Sequence, residues 1–400
     1  MFLKKTIKIL VPSSKSIAAR AIILAAIYDK KIKLKNIPDC DDTKYLINAL
    51  KKLNSKNKKV KIFTGNAGTA TRFLTAFCAL KINNFGFEEI KIDVSPEMEK
   101  RPIKELTSAL NRLGADIKTL GGKNKNCPPI KIYPAQLSGG KIKIRGDISS
   151  QYISALLMIK NFTKKKTTIE IKKNVFSKPY IKMTKKIIEV FENKKLKKFE
   201  IESDASSASY IGEYAALNTD KKITLKNITK NSIQGDIKFL EYLSKMGCKI
   251  IEHKNCTEIA RTSILKALNK VDMKDTPDLV PTFAVLAMFA KGVTKITNIG
   301  NLKIKESDRI FALKNEIKKF GIKIKTGKDF IEIHGNPNLI LEKHKSPISI
   351  NTYNDHRIAM AFGVLKSKMP KLKIENPKCV SKSYPTFWKD LNKLQKGTHK

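Results

Sequence analysis

Hydrophobic and polar positions alternate between two regimes along this chain, and the same order of regimes recurs six times. A short polar turn runs into an almost wholly apolar stretch. The turns are Pro12 to Ser16, Gly65 to Phe73, Arg145 to Gln151, Ser203 to Ser209, Asp272 to Asp278 and Tyr353 to Arg357. The apolar stretches that follow are Ile17 to Ile27, Phe73 to Leu80, Tyr152 to Ile159, Tyr210 to Leu217, Leu279 to Ala290 and Ile358 to Leu365. Runs of this kind predict helices apolar on all sides, which must be buried. After each comes a short alternating strand such as K-I-K-L-K-N-I, E-I-K-I-D-V or K-I-T-L-K-N-I. A second, amphipathic helix then follows, as in Thr43 to Leu53, Ile103 to Leu113 and Asp308 to Phe320, with lysines on its outer face. The segment around Gly327 reads as a hairpin.

The unit is therefore strand, helix, strand, helix, strand, strand, with a period of about 50 to 80 residues. The sixth unit runs out after Trp388 to Leu394, and the N-terminal strands, Phe2 to Leu10, are left over to complete it. The expected fold is α/β, in two domains of three βαβαββ units with buried inner helices. Residues 14–203 form the first domain, and residues 1–13 plus 204–400 form a second, discontinuous one closed by both termini. The polar N-termini of the inner helices are expected to converge on a cleft between the domains. A length of 400 residues fits two domains of about 200 residues each.

Composition narrows the setting. No apolar run approaches the roughly 20 residues of a membrane span. Met1 to Lys5 leads directly into a strand pattern, so no signal or transit peptide is expected. Six scattered cysteines without a C-x-x-C pair suit reduced thiols in the cytoplasm and no metal site. The charge is extreme, 80 Lys+Arg against 36 Asp+Glu, for a net +44. A basic nucleic-acid-binding protein is the first alternative this raises. Against it, the lysines are dispersed, aromatics are only 7%, and no stacking motif occurs. Bias toward AAA, AAT and ATA codons would enrich surface lysine without a polyanionic partner. Such lysines would bind RNA with a steep salt dependence and no sequence preference.

That bias makes arginine informative. There are eight, and Arg20, Arg72, Arg101, Arg309 and Arg357 fall in or beside the polar turns. Where lysine would supply charge, a retained arginine points to two-pronged recognition of carboxylate or phosphate. Gly68 lets a ligand approach the backbone at a helix N-terminus, a natural anion site. Lys15, Lys305 and Lys382 add charge, and Ser13, Ser14, Ser16, Ser149, Ser150 and Gln151 add neutral donors. Such a set suits more than one multiply charged anion. Among the cations stand Asp278, Glu306, Asp308 and Asp355. Asp308 and Asp355 are placed to orient neighbours, whereas Asp278 and Glu306 are candidates for proton chemistry. Each of these residues also has an ordinary reading, as a helix cap or surface ion pair. No H-E-x-x-H, Walker loop or nucleophile–His–Asp pattern occurs, which argues against zincins, P-loop ATPases and hydrolases.

Several of these stretches match longer motifs: P-S-S-K-S-x-x-x-R, G-N-A-G-T-A-x-R, R-P-I, G-D-I-S-S-Q-Y, D-A-S-S-A-S-Y, Q-G-D, K-E-S-D-R, Y-N-D-H-R-I-A-M and C-V-S-K-S-Y-P. In order and across essentially the whole chain they resemble the 5-enolpyruvylshikimate-3-phosphate synthase family. The resemblance implies the two-domain, inverse αβ-barrel-like fold of enolpyruvyl transferases, acting in the shikimate pathway to chorismate and the aromatic amino acids. It implies transfer of the enolpyruvyl group of phosphoenolpyruvate to shikimate 3-phosphate, with no cofactor. Carried over, Lys15, Ser16, Arg20, Ser149, Ser150, Gln151, Ser177, Asp278, Asn301 and Lys305 are shikimate 3-phosphate ligands, on the side of the first domain. Lys15, Gly68, Arg101, Gln151, Arg309, Arg357 and Lys382 hold phosphoenolpyruvate. Asp278 is the base and Glu306 the acid, with Lys15, His356 and Lys382 as further proton carriers. A cytoplasmic monomer is expected, with no membrane or specific nucleic-acid partner.

The chain departs from the family pattern at Ser13, where glycine is usual, and at Ala19, where asparagine is common. Phe73 stands in place of proline, and Leu302 with Lys303 in place of an aromatic–arginine pair. The family's inhibitor glyphosate occupies the phosphoenolpyruvate site; Gly68 implies sensitivity, while Phe73 bears on its degree. The enzymatic alternative is UDP-N-acetylglucosamine enolpyruvyl transferase, which uses a loop cysteine; the region around Arg101 has none, and Cys127 lies well beyond it.

Overall fold

A computed structural model describes residues 5–29, 31–121, 125–218, 221–261, 263–338 and 347–397. The chain forms two compact units: a contiguous one, Ser14–Ile201, and a discontinuous one that joins Met1–Ser13 to Glu202–Lys400.

The chain begins with β1 (Lys5–Ile9), followed by α1 (Lys15–Tyr28), β2 (Lys33–Lys35), α2 (Asp41–Lys52) and β3 (Lys59–Phe63). Next come α3 (Gly68–Phe85), β4 (Glu89–Asp93), α4 (Lys104–Arg112), β5 (Asp116–Gly121), β6 (Cys127–Tyr133) and β7 (Gly140–Arg145). The contiguous unit ends with α5 (Ser150–Ile159), β8 (Thr167–Lys172), α6 (Lys178–Glu192) and β9 (Lys198–Glu200). The discontinuous unit continues with α7 (Ala205–Leu217), β10 (Lys221–Lys226), α8 (Phe239–Lys245), β11 (Cys248–Glu252), β12 (Cys256–Arg261) and β13 (Asn269–Asp272). Then follow α9 (Val280–Met288), β14 (Gly292–Thr297), α10 (Arg309–Lys318), β15 (Lys323–Thr326), β16 (Phe330–Gly335) and β17 (Ser349–Ile350). The last elements are α11 (His356–Val364), β18 (Lys373–Ile374) and α12 (Phe387–Lys396).

The odd-numbered helices are the inner ones. Every residue of α7, α9 and α11 is buried, as their lack of a polar face requires. The even-numbered helices bury one stripe, for instance Ile181, Ile187, Ile188 and Phe191 of α6. Two glycines let outer helices approach the inner ones closely. A β-carbon on Gly212 of α7 would stand 2.8 Å from Leu243 of α8, and one on Gly363 of α11 would stand 2.8 Å from Trp388 of α12. The polar turns are shorter than their sequence suggests. Gly68 to Arg72 and Ala205 to Ser209 already belong to the helices, because small residues and an Asp204 cap suit a first turn.

Among the described residues each unit carries three open sheets and no closed barrel. The strand before an inner helix pairs in parallel with the strand after it: β3 with β4, β7 with β8, β13 with β14, and β17 with β18. The antiparallel β15–β16 hairpin around Gly327 is present. The units flanking the crossovers exchange partners. Strand β1, which precedes α1, pairs with β10 after α7, while β9, which precedes α7, pairs with β2 after α1. The described N-terminal strand therefore completes the fourth repeat and not the sixth, whose sheet has two strands among the described residues. Phe2 to Lys4 lie outside the described residues. The sixth repeat has its own leading strand, β17, whereas β10 has its one parallel neighbour among the described residues in β1.

Glu213 breaks the apolar pattern of α7. It is fully buried, and neither carboxylate oxygen has a hydrogen-bond partner among the described residues. Burial raises its pKa well above the usual range, so the group is held protonated. The unfolded chain ionises this residue near pH 4.3, so its contribution to stability is complete below that pH and is lost as pH rises. Glu213→Gln ionises in neither state. Its stability relative to the parent should rise by roughly 1.4 kcal/mol per pH unit above about pH 4.3. Urea denaturation at several pH values tests this; a pH-independent difference between the two proteins would refute it.

Candidate active site

In the contiguous unit the cations gather at the start of α3. A β-carbon on Gly68 would stand 2.6 Å from Nη1 of Arg72 and 2.8 Å from Nη1 of Arg101. Two guanidinium groups thus lie against the positive end of a helix, an arrangement complementary to an anion. Arg72 donates to Gln151 Oε1 at 2.7 Å and to the Pro102 carbonyl at 3.1 Å. Gln151 in turn donates to Thr69 at 3.0 Å, and the Tyr152 ring lies beneath Arg72. Gly68, Arg72, Arg101 and Gln151 are therefore brought together. Ser149 caps α5 and accepts from the Gln151 backbone N–H, with Ser150 buried beside it. Ser177 caps α6 with a left-handed backbone, φ 57°, a conformation held only where the surroundings impose it.

Arg20 has a different setting. It donates to Thr184 at 2.7 Å, the Ser16 carbonyl at 2.7 Å, Ser154 at 3.2 Å and the Tyr180 carbonyl at 3.3 Å. Phe73, the departure from the family pattern, is fully buried under its guanidinium. Burial pulls the pKa of Arg20 down to about 10, with Tyr180 opposing. In this form Arg20 braces α1 against α5 and α6. Lys15, the first residue of α1, pairs with Asp42 of α2 at 2.8 Å. Ser14 caps α1, and Ser13 forms an isolated antiparallel bridge with Ser203, both within the discontinuous unit.

In the discontinuous unit the charges form one compact network. Arg309, 1% exposed, opens α10 and donates from Nε to Asp355 at 2.8 Å, from Nη1 to Asp278 at 3.1 Å, and from Nη2 to Glu306 at 2.8 Å. Arg357 donates to the other oxygen of Asp278 at 2.7 Å and to Tyr210 at 3.4 Å. Asp355 also accepts from Ser307 and caps α11 through the Arg357 backbone N–H. Asp355 thus orients its neighbours as expected, whereas Asp308 caps α10 and faces solvent. Asn301, His356 and Lys382 are buried, and Nδ1 of His356 lies 3.7 Å from Asp355.

Burial by itself would raise the Asp278 carboxyl, but Arg357, Lys305 and Arg309 outweigh it and hold the group well below the usual carboxylate range. Burial likewise disfavours the Arg309 cation, yet Asp355, Glu306 and Asp278 make it hold its proton more tightly than a free arginine. The sequence motifs did not single out Asp42 or Asp236 for a role in the site. Asp42 sits in the acidic pair at the start of α2, a visible signal. Asp236, in the Q-G-D stretch, hydrogen-bonds to Ser206. Burial, reinforced by Asp278, lifts its carboxyl to about 7, with Arg357 and Ser206 opposing. Among the described residues no group of three or more His, Cys, Asp or Glu is arranged to hold a metal ion. No helix there is long and apolar enough to cross a membrane.

Repeated βαβ crossovers over buried helices, with arginines gathered at the helix starts, define an α/β protein built to handle multiply charged anions. Residues 3–391 match the family model of EPSP synthase (3-phosphoshikimate 1-carboxyvinyltransferase), and the chain belongs to that family. It is 38% identical to the 3-phosphoshikimate 1-carboxyvinyltransferase of Haemophilus influenzae (strain PittGG) over 422 residues, covering 96% of this chain and 95% of that protein. It is also 38% identical to the enzyme of the same name from Buchnera aphidicola subsp. Cinara cedri (strain Cc), over 96% of this chain and 94% of that one. In fold it is similar to the EPSP synthase of Acinetobacter baumannii, with a TM-score of 0.72 at 21% identity, covering 98% and 96% of the two chains.

Removing one partner from a buried ion network leaves an uncompensated charge, whereas an exposed pair contributes little. Asp355→Ala should therefore lower unfolding stability by about 3 kcal/mol or more. Asp147→Ala, which breaks the exposed pair with Arg145 at 2.8 Å, should change it by less than about 1 kcal/mol. Urea denaturation of both variants would expose the error if the two losses were equal.

Proposed function

We infer that this chain transfers the enolpyruvyl group of phosphoenolpyruvate to the 5-hydroxyl of shikimate 3-phosphate, releasing phosphate. The family match over residues 3–391 carries this reading. Lys15, Ser16, Arg20, Ser149, Ser150, Gln151, Ser177, Asp278, Asn301 and Lys305 serve shikimate 3-phosphate. Lys15, Gly68, Arg101, Gln151, Arg309, Arg357 and Lys382 serve phosphoenolpyruvate. The gathering of Arg72 and Arg101 over Gly68 supports an anion there. The pairing of Arg309 and Arg357 with Asp278 supports a shared role in the other half. No metal or organic cofactor is needed. A cytoplasmic monomer with no specific nucleic-acid partner belongs to the same reading, and the free cysteines among the described residues support a reducing compartment.

In the proposed chemistry an anionic substrate draws Arg309 away from Glu306, which takes up a proton from solvent and donates it to the methylene carbon of phosphoenolpyruvate, leaving a cationic centre at the adjacent carbon. The 5-oxygen attacks that centre as Asp278 takes its proton. The tetrahedral intermediate then returns a methyl proton to the Glu306 carboxylate and expels phosphate, which restores the double bond. A carboxylate held far below its usual pKa is a weak base. Anionic substrates offset this by drawing Arg309 and Arg357 away from Asp278, which raises its affinity for a proton just where one must be accepted.

Phosphate release should require both substrates together and should fall at least about 100-fold in Asp278→Ala. A well-folded parent that releases none would defeat the reading. Gly68→Ala forces Arg72 or Arg101 to move. It should raise KM for phosphoenolpyruvate about tenfold while changing that for shikimate 3-phosphate much less; equal changes in both would remove Gly68 from the phosphoenolpyruvate site.

A further inference from the structure

The turn that delivers Arg357 has an unfavourable backbone. Tyr353 and Asn354 are both left-handed, φ 52° and 56°, and neither is glycine. Two such residues in succession persist only where their surroundings hold them. They stand immediately before Asp355, the cap of α11, and so set the direction in which that helix and Arg357 leave the turn.

Asn354 accepts from Asn376 at 2.9 Å, and Tyr353 is held by α10. Glu316, 1% exposed, lies on the same helix as Arg309 and about two turns beyond it. Its carboxylate accepts from the Asn351 backbone N–H at 3.1 Å and from the Tyr353 hydroxyl at 2.9 Å. Asn315 approaches the same hydroxyl at 3.4 Å, and Phe311 meets the Tyr353 ring edge-on, with centroids 6.2 Å apart. That contact accounts for a phenylalanine left 55% exposed. Asn351 also accepts from the Tyr353 backbone N–H at 2.7 Å. One rigid helix therefore grips the turn at two points, through Glu316 at Asn351 and Tyr353, and through Arg309 at Asp355. Burial raises the pKa of the Tyr353 phenol, with Glu316 reinforcing it and Asn315 opposing, so the hydroxyl stays a donor.

We propose that Glu316 and Tyr353 are positioning residues for phosphoenolpyruvate, a clamp that fixes the turn and thereby the aim of the Arg357 guanidinium. The inference rests on the reading of Arg357 as a phosphoenolpyruvate ligand. Neither residue acts on the substrate directly; both act through the backbone between Asn351 and Arg357.

The test is steady-state phosphate release by the full chain with each substrate varied in turn. It compares the parent, Tyr353→Phe, Glu316→Gln, Arg357→Lys and the Tyr353→Phe/Arg357→Lys double variant, with thermal midpoints in parallel. Tyr353→Phe removes one hydroxyl and carries the test should Glu316→Gln fail to fold. Both should raise KM for phosphoenolpyruvate about tenfold, with kcat and KM for shikimate 3-phosphate changing less than about threefold. On the Arg357→Lys background, Tyr353→Phe should add less than about twofold, because the residue it aims is already lost. The clamp is overturned by an unchanged phosphoenolpyruvate KM in Tyr353→Phe, by equal rises in both KM values, or by full additivity. Should Arg357→Lys itself keep the parental phosphoenolpyruvate KM, the ligand assignment of Arg357 fails first, and the clamp with it.

Discussion

A guanidinium cannot be buried alone, and the discontinuous unit is arranged around satisfying one. Arg309 takes its carboxylates from three separate stretches: Asp278 ahead of α9, Glu306 ahead of its own helix, and Asp355 at the cap of α11. Those stretches are joined by strands and hairpins that have no chemistry of their own. The ion network converts three helix starts, remote in sequence, into one constellation. Desolvating so many charges is unfavourable, and the arrangement persists because each oxygen and each N–H is matched closely.

The contiguous unit solves the same problem with neutral partners. Around Arg20 stand hydroxyls, carbonyls and an aromatic face, so its charge is solvated but not cancelled. Arg72 over Gly68 likewise donates to an amide and a carbonyl. Neutral partners of this kind leave a guanidinium its full charge toward an anion, whereas a balanced network like that around Arg309 changes proton affinity when an anion enters it.

The inner helices, the strand order within repeats and the location of the crossovers were legible because each leaves a local mark: an all-apolar run, an alternating pair or a left-over strand. Partner choice leaves none. Nothing in Lys5 to Ile9 says that its neighbour is β10, because any parallel edge would satisfy the same alternation. The same limit applied to side chains. Arg20 and Arg309 both read as anion-binding arginines in polar turns, and nothing in the sequence says that one also braces three helices while the other centres a carboxylate cluster. Glu316 was invisible for a related reason. On an amphipathic outer helix studded with lysines it reads as one more solvated charge, and only the folded turn opposite shows what it holds. Phe73 was noticed as a departure, but its reason, a ring beneath Arg20, needed coordinates.

The exchange of strands between β1 and β9 has a consequence for the order in which the molecule can be made. Strand β1 has its hydrogen-bonding partner in β10, and roughly 200 further residues must be synthesised before the two can meet. The contiguous unit has all of its strands earlier, with β9 closing it against β2. It can finish while β1 is still unpaired. During that interval a short lysine-bearing strand, K-T-I-K-I, trails as an open edge. Its like charges discourage it from pairing with copies of itself on neighbouring nascent chains.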